Sequence, residues 1–133
     1  MRYKIYVVGK IQDKNQKDAI AEYAKRLTRY CKINLIEIKN ITQLEKKLSD
    51  KSYVIKLSVK GENPSSEELA EKIKQLGLDG NSDVSIVITN EKISFDEHLS
   101  LSTMEMSLGM TATVLYEQIY RAYRIINNQA YHK

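Results

Sequence analysis

The sequence predicts an α/β fold, a mostly parallel sheet with helices on both faces. Short β-branched runs alternate with helix-length segments along all 133 residues, the order that builds parallel sheets. One of those runs, Asp83–Thr89, holds Val84, Ile86, Val87 and Ile88 and reads as a central strand covered on both sides. No repeat, low-complexity stretch or linker divides the chain, so residues 1–133 are expected to form one domain.

Each element has its own signal. Tyr3–Val8 is an apolar run closed by Gly9 and predicts a buried strand. Asn15 or Asp18 opens a helix with Ile20, Tyr23, Leu27 and Tyr30 on one face. Lys25, Arg29 and Lys32 make a basic edge there, read first as a solvated face and second as a phosphate-steering surface. Ile33–Ile38 is strand-like, and Thr42–Leu48 supports a short helix. Tyr53–Val59 is the next strand, ending at Lys60-Gly61. Pro64-Ser65-Ser66-Glu67-Glu68 starts a helix with capping serines and first-turn acids, which runs to about Gln75 and stops near Gly77 and Gly80. After Asp83–Thr89 come a helical turn over Ser94–Leu99 and a short strand over Thr103–Met106, with Gly109 as a break before the last helix.

That last helix is the strongest pattern in the chain. Leu115, Ile119, Ala122 and Ile126 form one stripe, and Tyr116, Tyr120 and Tyr123 form a second beside it. Glu117 and Arg121 stand one turn apart, acid first. The pattern fails at Asn127-Asn128, residues suited to a helix C-terminus, and a tail Gln129-Ala130-Tyr131-His132-Lys133 follows.

Composition narrows the function classes. The formal net charge of +4 leans toward a polyanionic partner. A single cysteine, Cys31, allows no internal disulfide, which suits a reducing, cytoplasmic setting. Cys31 is read as a buried hydrophobe rather than a nucleophile. No apolar run approaches membrane-spanning length, so no membrane partner is expected. The two histidines, His98 and His132, lack companions at ligand spacing, so no metal is expected. His98 is read as a polar residue on a short helix. Loops at the carboxyl ends of strands are where an open α/β sheet binds ligands. These are Val59–Glu62, Thr89–Lys92 and Met106–Met110.

Glu117-Gln118-Ile119-Tyr120-Arg121-Ala122 followed by a terminal Tyr131-His132-Lys133 resembles the C-terminus of the SPOUT-class, trefoil-knot methyltransferases. Within that class it is most similar to the small RlmH type, which methylates N3 of a pseudouridine in large-subunit ribosomal RNA. The resemblance extends more weakly over nearly the whole chain. It implies a carboxy-terminal trefoil knot, S-adenosyl-L-methionine as cofactor, ribosomal RNA of the large subunit as substrate, and a homodimer in which one subunit's tail completes the other's site. The cofactor would lie among Leu57, Gly61, Thr89, Asn90, the segment Leu101-Ser102-Thr103-Met104-Glu105-Met106, Ser107 and Leu108. The implied catalytic residues are His132 as base, Tyr131 stacking on the target base, and Arg121; Lys133 and Arg124 would hold RNA. The chain departs from the pattern where the family carries Gly-Gly-x-x-Gly. Thr89-Asn90-Glu91-Lys92-Ile93 stands there, with Asn90 as the residue able to take the left-handed conformation. Ser107-Leu108 and Ala112 replace a Pro-His pair and an arginine, and the segment after the loop is shorter. A catalytically silent trefoil-knot homodimer that binds ribosomal RNA or acts as a scaffold is the alternative reading. A flavodoxin-like binder of small molecules is a third.

Overall fold

A computed structural model describes residues 1–131. Its elements in chain order are β1 (Arg2–Val8), α1 (Lys14–Leu27), β2 (Lys32–Ile38), α2 (Thr42–Lys47), β3 (Tyr53–Glu62), α3 (Ser66–Leu78), β4 (Asp83–Ile88), β5 (Glu97–Leu99) and α4 (Leu108–Ile126). The strands form one sheet in the order β2-β1-β4-β3-β5, and every neighbouring pair is parallel. The predicted α/β class with a parallel sheet is what the chain adopts.

Side-chain alternation divides the core between the two faces. Ile5, Val7, Ile55, Leu57, Val84, Ile86 and Leu99 are buried in the larger cluster with residues of α1, α3 and α4. Tyr6, Ile38 and Val87 point the other way, where Leu44 of α2 covers them. Helices therefore lie on both faces, but unequally: three on one, a single six-residue helix on the other. Ser85 is a fully buried polar residue of β4, and its hydroxyl is satisfied by Ser52 Oγ at 2.7 Å.

The caps explain most boundaries. Asp13, rather than Asn15 or Asp18, opens α1, its carboxylate accepting from Gln16 N at 2.9 Å. Ser65 and Glu68 form a reciprocal capping box at α3, and that helix passes Gln75 and Gly77 to reach Leu78. At the end of α4, Asn128 takes φ 53°, and Gln129 N donates to Arg124 O at 2.8 Å, closing the helix where the pattern failed.

Four expectations are corrected. Glu97–Leu99 is a strand, not part of a helical turn. Asp96 ties this segment to β3 twice, its carboxylate accepting from Val54 N and its own N donating to Val54 O. His98 consequently lies on a strand. Thr103–Met106 is not a strand. The local hydroxyls there serve their own backbone, Ser100 Oγ donating to Ser102 O and Ser102 Oγ accepting from Met104 N. Gly109 does not break the chain but lies inside α4, which Ser107 already caps. A Cβ at 109 would come within 3.1 Å of Ile11 and still closer to Gln16, so the glycine permits close packing. Finally, β3 does not end before Gly61 but continues to Glu62.

Candidate active site

The carboxyl ends of β3 and β4, the loop after β5 and the first turn of α4 enclose a cleft of about 210 Å³. Nine of the twelve residues expected to hold a cofactor line it: Leu57, Thr89, Asn90, Leu101, Ser102, Met104, Glu105, Met106 and Leu108. Gly61, Thr103 and Ser107 are not among its lining residues. Ser58, Ile88, Ser100 and Thr111, which sequence reasoning missed, are. Each neighbours a residue that was found or begins the next helix, so strand boundaries placed one or two residues off account for the omission.

Gly61 acts on the cleft from behind. β5 meets β3 at two places, Leu99 pairing with both Leu57 and Glu62, and Ser100 N donates to Glu62 O at 2.7 Å. A Cβ on Gly61 would stand 2.4 Å from the Leu99 carbonyl carbon. Only glycine lets residues 58–62 pass so close to Leu99 and hold Ser100–Ser102 against the cleft. The loop Thr89–Ile93 has the opposite character. Asn128 alone among the described non-glycine residues has positive φ, so Asn90 does not use the left-handed region, and this loop needs no glycine for its backbone.

Leu57, Ile88, Leu101, Met106 and Leu108 give the cleft apolar walls, and Met104 stands 74% exposed at its mouth. Glu105 supplies the negative charge. Its Oε1 accepts from Asn90 Nδ2 at 3.3 Å, and no cation pairs with it among the described residues. An apolar slot with backbone groups, hydroxyls and one unpaired carboxylate fits a flat heteroaromatic ring joined to a cationic group. Behind the wall, Ser58 Oγ lies 2.6 Å from His98 Nε2. Burial and then Lys56 lower the His98 pKa, which keeps that imidazole neutral.

The tail is placed elsewhere. Tyr131 Oη donates to Glu117 Oε2 at 3.1 Å and lies 3.4 Å from Tyr23 Oη. Its ring meets Tyr120 edge-on at 5.0 Å and lies 4.9 Å beneath the Arg121 guanidinium. Burial first, then Tyr23 and Glu117, raise the pKa of this phenol. Arg124 donates to Ala130 O at 2.8 Å and to Gln129 Oε1 and Tyr30 Oη at 3.2 Å each; Tyr30 in turn donates to Gln129 Oε1. The tyrosine stripe of α4 is used within the chain: Tyr116 and Tyr123 are buried, and Tyr120 packs on Tyr23 and Tyr30 of the α1 region.

The cleft touches α4 at Leu108 and Thr111, and the tail touches it from Glu117 onward. That separates them by at least about 9 Å along the helix at 1.5 Å per residue. Tyr131, Arg121 and Arg124 come together, but not with their own cleft. His132 and Lys133 lie outside the described residues. Among those residues no cluster of metal-ligating side chains occurs, and no helix is long and apolar enough to cross a membrane.

A parallel α/β sheet with a cleft at its strand ends, walled partly by the start of the last helix, places the chain in the class of open α/β proteins whose ligand site lies at the carboxyl edge of the sheet. Residues 1–132 match a family described as "Predicted SPOUT methyltransferase", and the chain belongs to that family. It is 52% identical to "Ribosomal RNA large subunit methyltransferase H 1" of Thermoanaerobacter sp. (strain X514), over the full length of both. It is 37% and 36% identical to proteins named "Ribosomal RNA large subunit methyltransferase H" from Acetivibrio thermocellus and Lactobacillus acidophilus, again with both chains fully covered. The latter alignments span 159 positions. The excess over 133 residues is gaps in this chain.

Proposed function

We propose that the protein is a cytoplasmic S-adenosylmethionine-dependent methyltransferase acting on large-subunit ribosomal RNA, at N3 of a pseudouridine, as a single-domain homodimer with the family's carboxy-terminal knot. The gathering of nine expected cofactor residues around one cleft carries the reading. The names of relatives matched along the whole chain supply the RNA. The close passage of Gly61 over Leu99 supports the knot.

When bound, S-adenosylmethionine supplies an electrophilic methyl group on a sulfonium. The chain's own work is alignment and proton removal. Leu57, Ile88, Leu101 and Leu108 exclude water around the cofactor, and Glu105 offers its unpaired carboxylate to the cationic part. His132 takes the imino proton of the target ring, a task matched by an imidazole near neutral pH. Lys133 and Arg121 meet RNA phosphate. The fastening of Tyr131 away from its own cleft is in keeping with the homodimer, in which one subunit's tail would complete the other's site.

The test combines calorimetry with S-adenosylmethionine and transfer of labelled methyl to large subunits or whole ribosomes. Micromolar binding and stoichiometric RNA labelling are expected. Failure to bind at millimolar ligand would overturn the enzyme and leave the silent RNA-binding scaffold.

A further inference from the structure

We propose that a groove at the opposite end of the sheet grips the sugar–phosphate backbone of the RNA substrate, beside the tail of the same subunit. The proposal rests on the ribosomal RNA reading above and assigns a second contact surface to it. The groove lies at the amino ends of β1, β2 and β4, where Arg2 stands in register with Lys32 on one side and Asp83 on the other. Its lining residues include Met1, Arg2, Arg29, Lys32 and Lys51, with Asp83 as the single acidic residue among them.

Three observations point to phosphate. First, no ion pair engages Arg2, Arg29, Lys32 or Lys51 among the described residues, whereas Asp83 has Lys4 Nζ at 4.0 Å. The excess positive charge is therefore available to a ligand. Second, the concavity is bounded by residues from four separate stretches of chain, 1–2, 28–32, 49–51 and 80–83, so that a polymer backbone can lie across it. Third, the groove is continuous with the tail. Tyr30 lines it, and the hydroxyl of that residue holds Gln129 and Arg124. The Arg29 guanidinium lies over the Tyr30 ring at 5.2 Å, which pre-orients one cation at this junction.

The arrangement divides labour between subunits. A strand of seven residues spans about 20 Å, so the groove is far from its own cofactor cleft and next to its own tail. On the homodimer reading, the subunit whose tail would complete a neighbour's site is the one that grips the RNA leading to it. Of the basic edge seen in the sequence, Arg29 and Lys32 belong to this surface, joined by Arg2 and Lys51 from distant parts of the chain.

The test measures binding of the full-length protein to large-subunit ribosomal RNA over a salt series, together with methyl transfer. A groove variant, Arg29→Ala/Lys32→Ala/Lys51→Ala, is compared with Lys39→Ala/Lys46→Ala/Lys47→Ala, which removes the same charge around α2. The groove variant is expected to flatten the slope of log affinity against log salt by roughly two to three, about 0.7–0.9 for each of the three lost phosphate contacts. KM for RNA rises at least about tenfold in the same variant, while S-adenosylmethionine affinity and kcat at saturating RNA stay at the wild-type value. The α2 variant keeps the wild-type slope. A wild-type slope in the groove variant, an equal loss in the α2 variant, or wild-type protein that does not bind the RNA would each overturn the proposal. Groove-dependent RNA binding without any methyl transfer would retain the groove and defeat the enzyme reading; methyl transfer with groove-independent binding would do the reverse.

Discussion

The two ends of α4 are built by different means. Its first turn borders a cleft whose walls come from strand ends and loops, held by backbone proximity, with Gly61 against Leu99 as the closest approach. Its last two turns carry a clamp of side chains: Tyr23, Tyr30, Tyr120, Arg124 and Glu117 close on Gln129, Ala130 and Tyr131. The first end has the makings of a cofactor site, with Glu105 as the one carboxylate among its lining residues. The second holds the chain end through Tyr131 and borders, through Tyr30, the basic groove at the other end of the sheet. The two ends of one helix thus carry different devices, and the proposed homodimer is the arrangement in which a tail from one copy would meet the cleft of another.

Gly61→Val should break the first half most severely. Its Cβ would fall inside the Leu99 backbone, at 2.4 Å from carbon and 2.5 Å from oxygen, and no flexible side-chain end is there to yield. Overpacking of this kind reaches the upper range of single substitutions, about 3–5 kcal/mol, or a melting temperature lower by on the order of 10 °C. Calorimetry on the folded fraction should show cofactor affinity lost, because Ser100–Ser102 shift with Leu99. Retention of both wild-type stability and binding would mean that residues 58–62 do not shape the cleft.

Tyr131→Phe should act on the other half alone. It removes the hydroxyl that donates to Glu117 and keeps the ring beside Tyr120 and Arg121. A hydrogen bond to a carboxylate contributes about 1.5–3 kcal/mol, and solvent access to this one places it at the lower end. The expected result is a fall in kcat of about tenfold, with cofactor affinity and melting temperature unchanged. Glu117→Gln in the same background should lower kcat further, since it also removes the carboxylate that pairs with Arg121 Nε at 3.1 Å. A parallel fall in cofactor affinity would show that the two ends are not separable.

How much of this was legible in the sequence depended on how local each determinant was. The β4 strand, the Ser65 capping box and the Asn127-Asn128 stop are each decided within a few residues, and the chain declared them. The three-residue strand β5 is decided by Val54, some forty residues away from the aspartate that grips it, so local propensity over Ser94–Leu99 pointed to a turn of helix. The clamp is more remote still. Tyr23 and Tyr131 are 108 positions apart and Tyr30 and Gln129 are 99 apart, and periodicity along α4 offered only a stripe of tyrosines without partners. The cleft's loops follow from the carboxyl-end rule for an open α/β sheet, and resemblance added Leu101–Met106; the glycines missing from Thr89–Ile93 suggested a conformational demand that the backbone does not make.

Cys31 offers the smallest effect and a sharp check on the clamp side. It is half-buried at the groove, next to Tyr123. Burial pushes its thiol up to about 11, against the weaker opposing pull of the Met1 amine and a hydrogen bond with Tyr123. At pH 8 only about one thousandth of the thiol is then ionised, against roughly a quarter for a free cysteine. Iodoacetamide should therefore modify the native protein at least about a hundredfold more slowly than the unfolded chain, with the rate rising about tenfold per pH unit toward pH 11. The sign of the linked stability follows. With a raised folded-state pKa, the contribution is fully present below the unfolded thiol's pKa and is lost as pH rises through about 11. Cys31→Ala should flatten the fall in stability on the alkaline side. A native labelling rate equal to that of the unfolded chain would show that the packing between Tyr123 and the groove is open, and with it the base on which the tail is clamped.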